Sequence, residues 1–146
     1  MNWCRELKGK ALLNEPLAKH TSFGIGPVAK FWLEPYDLED LKAFPEEVQD
    51  SVGVSLLQAQ FGGKADNAKP LHGFGGASVL EVVENHQEGT YRAVYTVKMK
   101  EAIYVLHTFQ KKSKQGIKTP KQEIELIKKR LKDAQDHYEE WILSRR

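Results

Sequence analysis

The sequence predicts a small α+β domain: an antiparallel sheet, two helices ahead of it and one long helix behind. Three observations predict it. Between Val79 and Phe109, three apolar and β-branched runs are separated by turn-forming stretches at HQEG and MKE, the pattern of an antiparallel meander. Ahead of them, Leu38 to Ala59 carries apolar residues at helical spacing. Behind them, Ile124, Ile127, Leu131, Ala134, Tyr138 and Trp141 recur at alternating steps of three and four, a stripe that docks a helix on the sheet. At 146 residues the chain is long enough for one domain with its own core.

The elements follow in order. Pro16, Gly24, Gly26 and Pro27 interrupt any period in the first 27 residues, which read as irregular. Val28–Leu33 (VAKFWL) is β-branched and aromatic enough for a strand, closed by Glu34-Pro35. Asp37 is placed to cap a short helix, DLEDLKAF, with Leu38, Leu41 and Phe44 on one face. Pro45 suits the first turn of a second helix, with Glu46 and Glu47 at its positive end. Val48, Val52, Leu56 and Ala59 form its buried stripe, and Gly62-Gly63 ends it. A polar, glycine-rich stretch from Lys64 to Ala77 leads to strands near Val79–Glu84, Tyr91–Lys98 and Ala102–Phe109. Thr119-Pro120-Lys121-Gln122 starts the last helix: a Thr cap, proline at the first position and Gln in the capping-box position. The whole order is β-α-α-β-β-β-α.

Charge is unevenly spread. Residues 1–50 hold six bases and nine acids, 51–90 two and four, and 91–146 fourteen and seven. From Tyr91 to Thr119, Arg92, Lys98, Lys100, Lys111, Lys112, Lys114 and Lys118 face one acid, Glu101. A basic cluster at strand ends beside an acidic front points to a polyanion, nucleic acid first. Lys128, Lys129, Arg130 and Lys132 read instead as the solvated side of the last helix. Cys4 is the only cysteine, so no disulfide framework and no cysteine cluster for a metal is expected. There is no run of about 20 apolar residues to span a membrane and no apolar core of a signal peptide in MNWCRELKGK, so a cytoplasmic protein is expected.

The P-loop, HExxH and GxSxG patterns are missing, and the GFGGAS glycines read as a turn into the sheet. Metal-free RNA cleavage needs a base near the 2′-hydroxyl, an acid for the leaving 5′-oxygen and cations on the phosphate. His107 suits the base or the acid, and Arg92 with Lys111 and Lys112 suits the phosphate. Tyr91 and Tyr95 are candidates for stacking on bases. Strict alternation puts Arg92, Val94, Thr96 and Lys98 on one face of their strand and Ile103, Val105, His107 and Phe109 together on one face of the next. One face of the sheet packs on helices, and the other is left open for RNA.

Residues from about 38 to 140 resemble the RelE/HigB superfamily of type II toxins, in its phage-derived branch. The resemblance rests on DLKAFPEEVQDSVG, AKPLHGFGGASVLEVVE and YRAVYTVKMKEAIYVLHTFQKKSKQGIKTPKQEIELIKKRL, in that order. It implies a RelE-like fold over residues 36–146 and a ribosome-dependent mRNA endoribonuclease, with no cofactor and no metal. It also implies a helix-turn-helix antitoxin as partner, beside mRNA on the ribosome. Carried over by motif are Arg92 and Tyr95 of YRAVY, His107, Lys111 and Lys112 of LHTFQKK, and Thr119, Pro120 and Lys121 of TPK. The candidate catalytic set is therefore Arg92, His107, Lys111 and Lys112. The candidate RNA-binding set is Tyr91, Tyr95, Lys98, Lys114, Lys118 and Lys121.

Residues 7 to about 42, through NEPLAKHTSFGIGPVA, are similar to the opening of MurB, the flavin-dependent UDP-N-acetylenolpyruvoylglucosamine reductase. The chain leaves that pattern before the glycine-rich flavin loop, so no flavin, substrate or catalytic residue carries over. Residues 1–35 thus form a MurB-like segment whose Val28–Leu33 is placed to supply the first strand of the toxin-like sheet. Three functions follow in order: an mRNA-cleaving toxin, an inactive toxin-like module that holds RNA or an antitoxin, and a reductase fragment.

Overall fold

The computed structural model describes residues 4–7, 10–13, 30–33, 35–74, 78–97, 99, 102–111 and 120–144. In order, the elements are β1 (Cys4–Leu7), β2 (Lys10–Leu13), β3 (Lys30–Leu33), α1 (Pro35–Ala43), α2 (Glu46–Gln60), β4 (Ala68–Pro70), β5 (Val79–His86), β6 (Gly89–Thr96), β7 (Ala102–Lys111) and α3 (Lys121–Ser144). The α+β class and the helix–sheet–helix order stand as expected.

Helix α1 begins at Pro35, ahead of the anticipated cap at Asp37, because a proline loses nothing in a first turn whose N–H groups are unpaired anyway. Leu38 and Leu41 are buried on its inner side, and Phe44, just past its end, is buried with them. Pro45 occupies the cap position of α2 rather than its first turn, and its carbonyl accepts from Gln49 N at 2.9 Å. Val48, Val52, Leu56 and Ala59 are all buried, as their spacing demands. Gly62 closes α2 with φ +87°; its N–H reaches Ala59 O at 3.0 Å and that of Gly63 reaches Gln58 O at 2.8 Å, a Schellman cap.

The sheet has seven strands in the order β1-β2-β3-β7-β6-β5-β4. Its meander half is antiparallel, with β5 and β6 joined across Gln87–Glu88 to Gly89 (φ +138°). β3 lies parallel beside β7, Lys30–Leu33 against Ala102–Val105. Three strands depart from the sequence reading. β1 and β2 pair within the stretch read as irregular, and β4 sits in the polar stretch after α2. Each is only three or four residues long, too short for a period to show. β4 takes an edge, where Pro70 costs no shared ladder bond.

Every residue of β6 is buried, because both faces of the sheet are covered. The open face expected from the sequence is closed. One side packs Leu80, Val82, Tyr91, Ala93, Tyr95, Ile103 and Val105 against α1 and α2. The other packs Val79, Val94, Ala102, Tyr104 and Leu106 against Ile127 and Ala134 of α3, with Ile124, Leu131, Tyr138 and Trp141 at the margin.

The strand alternation also shifts. Val94 pairs with His107 but Tyr95 pairs with Val105, so Leu106 is an extra residue in β7. Leu106 and His107 therefore both lie on the α3 side. His107 and Phe109 join Tyr104 there, instead of Ile103 and Val105. A bulge reverses every later side chain, and nothing in LHTF marks it in advance.

Candidate functional site

Beneath the first half of α3 the sheet carries charged side chains beside the apolar ones. On β6, Arg92 stands opposite Val83 of β5 and Phe109 of β7, two residues from Val94, which stands opposite Glu81 and His107. Arg92 and His107 are thus diagonal neighbours on one face. Arg92 Nη1 lies 2.9 Å from Glu81 Oε2, with both side chains almost wholly buried.

His107 is held from α3. Its Nε2 meets the Glu123 carboxylate, and Arg130 Nη1 donates to its Nδ1 at 2.9 Å. The same guanidinium nitrogen donates to the carbonyl of Leu106, the bulge residue, also at 2.9 Å. Phe109 stacks on the imidazole with centroids 4.7 Å apart and planes at 19°. Because Arg130 can only donate, Nδ1 is the accepting nitrogen and the ring proton sits on Nε2, facing Glu123. His107 and Arg92 are buried while Glu123 and Arg130 are only half-buried, so the members of the cluster that meet solvent are the two from α3.

The sequence reading missed Glu123 and Arg130, assigning the latter to solvent. A signal was present. Glu123, Ile127, Arg130, Ala134 and His137 follow one another at steps of four and three, a second row beside the apolar stripe. The two charged members both fall on His107 of the strand opposite.

The other predicted residues divide. Lys111, at the end of β7 opposite Thr90, is on the α3 side by register and half-buried. Lys121 is exposed at the start of α3. Lys98, Lys112, Lys114 and Lys118 lie outside the described residues, as do Lys100 and Thr119.

Tyr91 and Tyr95, expected to stack on bases, are core residues on the opposite face, 3% and 0% exposed. Tyr91 packs on Phe44 with centroids 4.7 Å apart. Burial pushes the Tyr95 phenol up to about 12, and its hydroxyl has no hydrogen-bond partner among the described residues. Neither ring can meet a base in this arrangement. The reason is plain: the odd-numbered face of β6 is the one that α1 and α2 need.

Among the described residues no three His, Cys, Asp or Glu side chains gather as a metal-binding group, and no helix is long and apolar enough to cross a membrane.

Two comparisons with known proteins bear on this geometry. A short likeness links the chain to UDP-N-acetylenolpyruvoylglucosamine reductase of Geobacter metallireducens: 47% identity over 38 residues, 26% of this chain. The chain spans only 13% of that enzyme's length. Residues 39–132, from α1 to Lys132 of α3, match the family described as Phage derived protein Gp49-like (DUF891). That match takes in the end of α1, α2, the meander and the half of α3 that carries Glu123 and Arg130, and so the chain belongs to the phage-derived Gp49-like family, a toxin-like family.

Proposed function

We propose that this chain is the toxin of a type II toxin–antitoxin system, a RelE/HigB-type endoribonuclease that cuts mRNA on translating ribosomes in the cytoplasm. One observation supports it most: within the family-matched region, Arg92, His107 and Lys111 share one sheet face, toward the end where α3 begins. An imidazole with cations beside it is what metal-free cleavage of RNA requires. Lys112, Lys114 and Lys118 follow in the sequence and extend the positive charge available to RNA phosphates. On this reading the partner is a helix-turn-helix antitoxin that blocks the same edge.

A second reading, a toxin-like module that binds RNA or antitoxin without cutting, draws on a specific observation. Arg92 is engaged by Glu81, and both nitrogens of His107 are engaged by Glu123 and Arg130. The reductase likeness, at 13% of that enzyme, carries no proposal of flavin chemistry.

The test is induction of residues 1–146 in a bacterial host, beside His107→Gln, with mRNA ends mapped. Growth arrest with cuts in translated messages, both lost in the variant, is the outcome expected of a toxin. Normal growth at good soluble expression, with RNA still bound, would favour the module.

A further inference from the structure

The contacts around His107 have the arrangement of a general base that is oriented from one side and masked from the other. Glu123 fixes the ring proton on Nε2, which leaves the Nδ1 lone pair as the basic site. Arg130 sits on that lone pair at 2.9 Å while anchored to Leu106 O. Both residues come from the edge of α3, and both retain solvent contact.

We infer that Glu123 and Arg130 belong to the RNA-cleaving centre: Glu123 positions His107, and Arg130 exchanges His107 Nδ1 for the scissile phosphate of the RNA. This rests on the endoribonuclease reading above and adds two residues from α3 to it. A phosphate carries full negative charge and offers the guanidinium two acceptor oxygens, whereas Nδ1 offers one neutral lone pair. RNA phosphate at the α3 edge therefore wins the contact. Its arrival frees Nδ1 beside the 2′-hydroxyl.

The step balances without a metal or co-reactant. Nδ1 takes the 2′-hydroxyl proton, and the 2′-oxygen forms its bond to phosphorus. The P–O5′ bond breaks, and the leaving 5′-oxygen takes a proton from water. The products are a 2′,3′-cyclic phosphate and a 5′-hydroxyl end. Masking by Arg130 explains how a base can be present yet engaged while no RNA is bound.

The test uses the full chain on mRNA-programmed ribosomes, with Glu123→Ala, Glu123→Gln, Arg130→Gln and Arg130→Lys. Glu123→Ala should lower kcat by about tenfold to a hundredfold with KM unchanged, and Glu123→Gln, which still accepts from Nε2–H, should restore part of it. Arg130→Gln should raise KM as well as lower kcat, with partial recovery in Arg130→Lys. The imidazole ¹⁵N shifts of His107 give a readout apart from activity. The wild type should hold the Nε2–H tautomer, and Glu123→Ala should release it into a mixture. A wild type that cuts mRNA while the Glu123 and Arg130 variants cut equally well would overturn this inference and leave the toxin reading standing. A wild type that cuts nothing, even with the tautomer locked, would overturn both.

Discussion

Arg92 on β6 and Glu81 on β5 meet at 2.9 Å beneath α3, with side chains 3% and 5% exposed. Two opposite charges this deep are each other's main compensation for lost water, whatever either does to RNA. Taking one away strands the other. Arg92→Ala should therefore lower stability by about 3–5 kcal/mol, measured by chemical denaturation. The double change Arg92→Met with Glu81→Leu should cost much less, because it removes both charges and refills the space. Equal losses in the two proteins would show that the pair is not the source of the cost. An activity loss in Arg92→Ala alone says little about catalysis, which is why His107→Gln is the better probe.

Two buried tyrosines on neighbouring strands should answer oppositely to loss of the hydroxyl. The Tyr104 hydroxyl and His137 Nδ1 share a hydrogen bond of 2.6 Å that ties β7 to α3, whereas the Tyr95 hydroxyl has no partner among the described residues. Tyr104→Phe should destabilise by about 1–2 kcal/mol, and Tyr95→Phe should be neutral or stabilising by up to about 1 kcal/mol. Thermal melts of the two single variants decide it; a matching loss in Tyr95→Phe would mean that its hydroxyl has a partner in solution.

The same tyrosines tie stability to pH on the alkaline side. Burial raises Tyr95 to about 12, and burial, with Tyr138 adding to it, raises Tyr104 further. In the unfolded chain both phenols ionise near pH 10. Their neutral forms favour the folded state in full below that point. The contribution fades as pH climbs from about 10 through the folded value, since the unfolded state gives up its protons first. Urea midpoints should thus fall steeply between pH 10 and 12, and Tyr95→Phe should shallow that fall. An unchanged slope in the variant would show that Tyr95 does not titrate between the two states.

The apolar periods made the framework legible: Val48, Val52 and Leu56 on α2, Ile127 and Ala134 on α3, and the β5–β7 meander follow directly from spacing. What stayed hidden has two physical causes. The bulge at Leu106 is set by how β7 fits β6, and it moved His107 to the other face without any local mark. The cover over both faces depends on where α3 docks, so the aromatic residues of YRAVY read equally well as stacking platforms or as core. Charge clustering was legible as a count but not as a site. It could not tell Arg130, folded in against Leu106 O, from the exposed Lys128 and Lys129 beside it.

The lysines after β7 give the last prediction. Lys111 is described at the strand end, and Lys112 follows it outside the described residues. If the segment meets RNA, each lysine on a phosphate releases counterion, and affinity falls with salt at about −0.7 per contact on a log–log plot for single strands. Lys111→Ala with Lys112→Ala should therefore shallow the slope for single-stranded RNA by about 1.4 and weaken binding at low salt far more than at high salt. Lys128→Ala with Lys129→Ala, on the exposed side of α3, removes the same net charge without touching the strand end. An equal change in both double variants would mean that only overall charge matters and that the β7 end is not the contact.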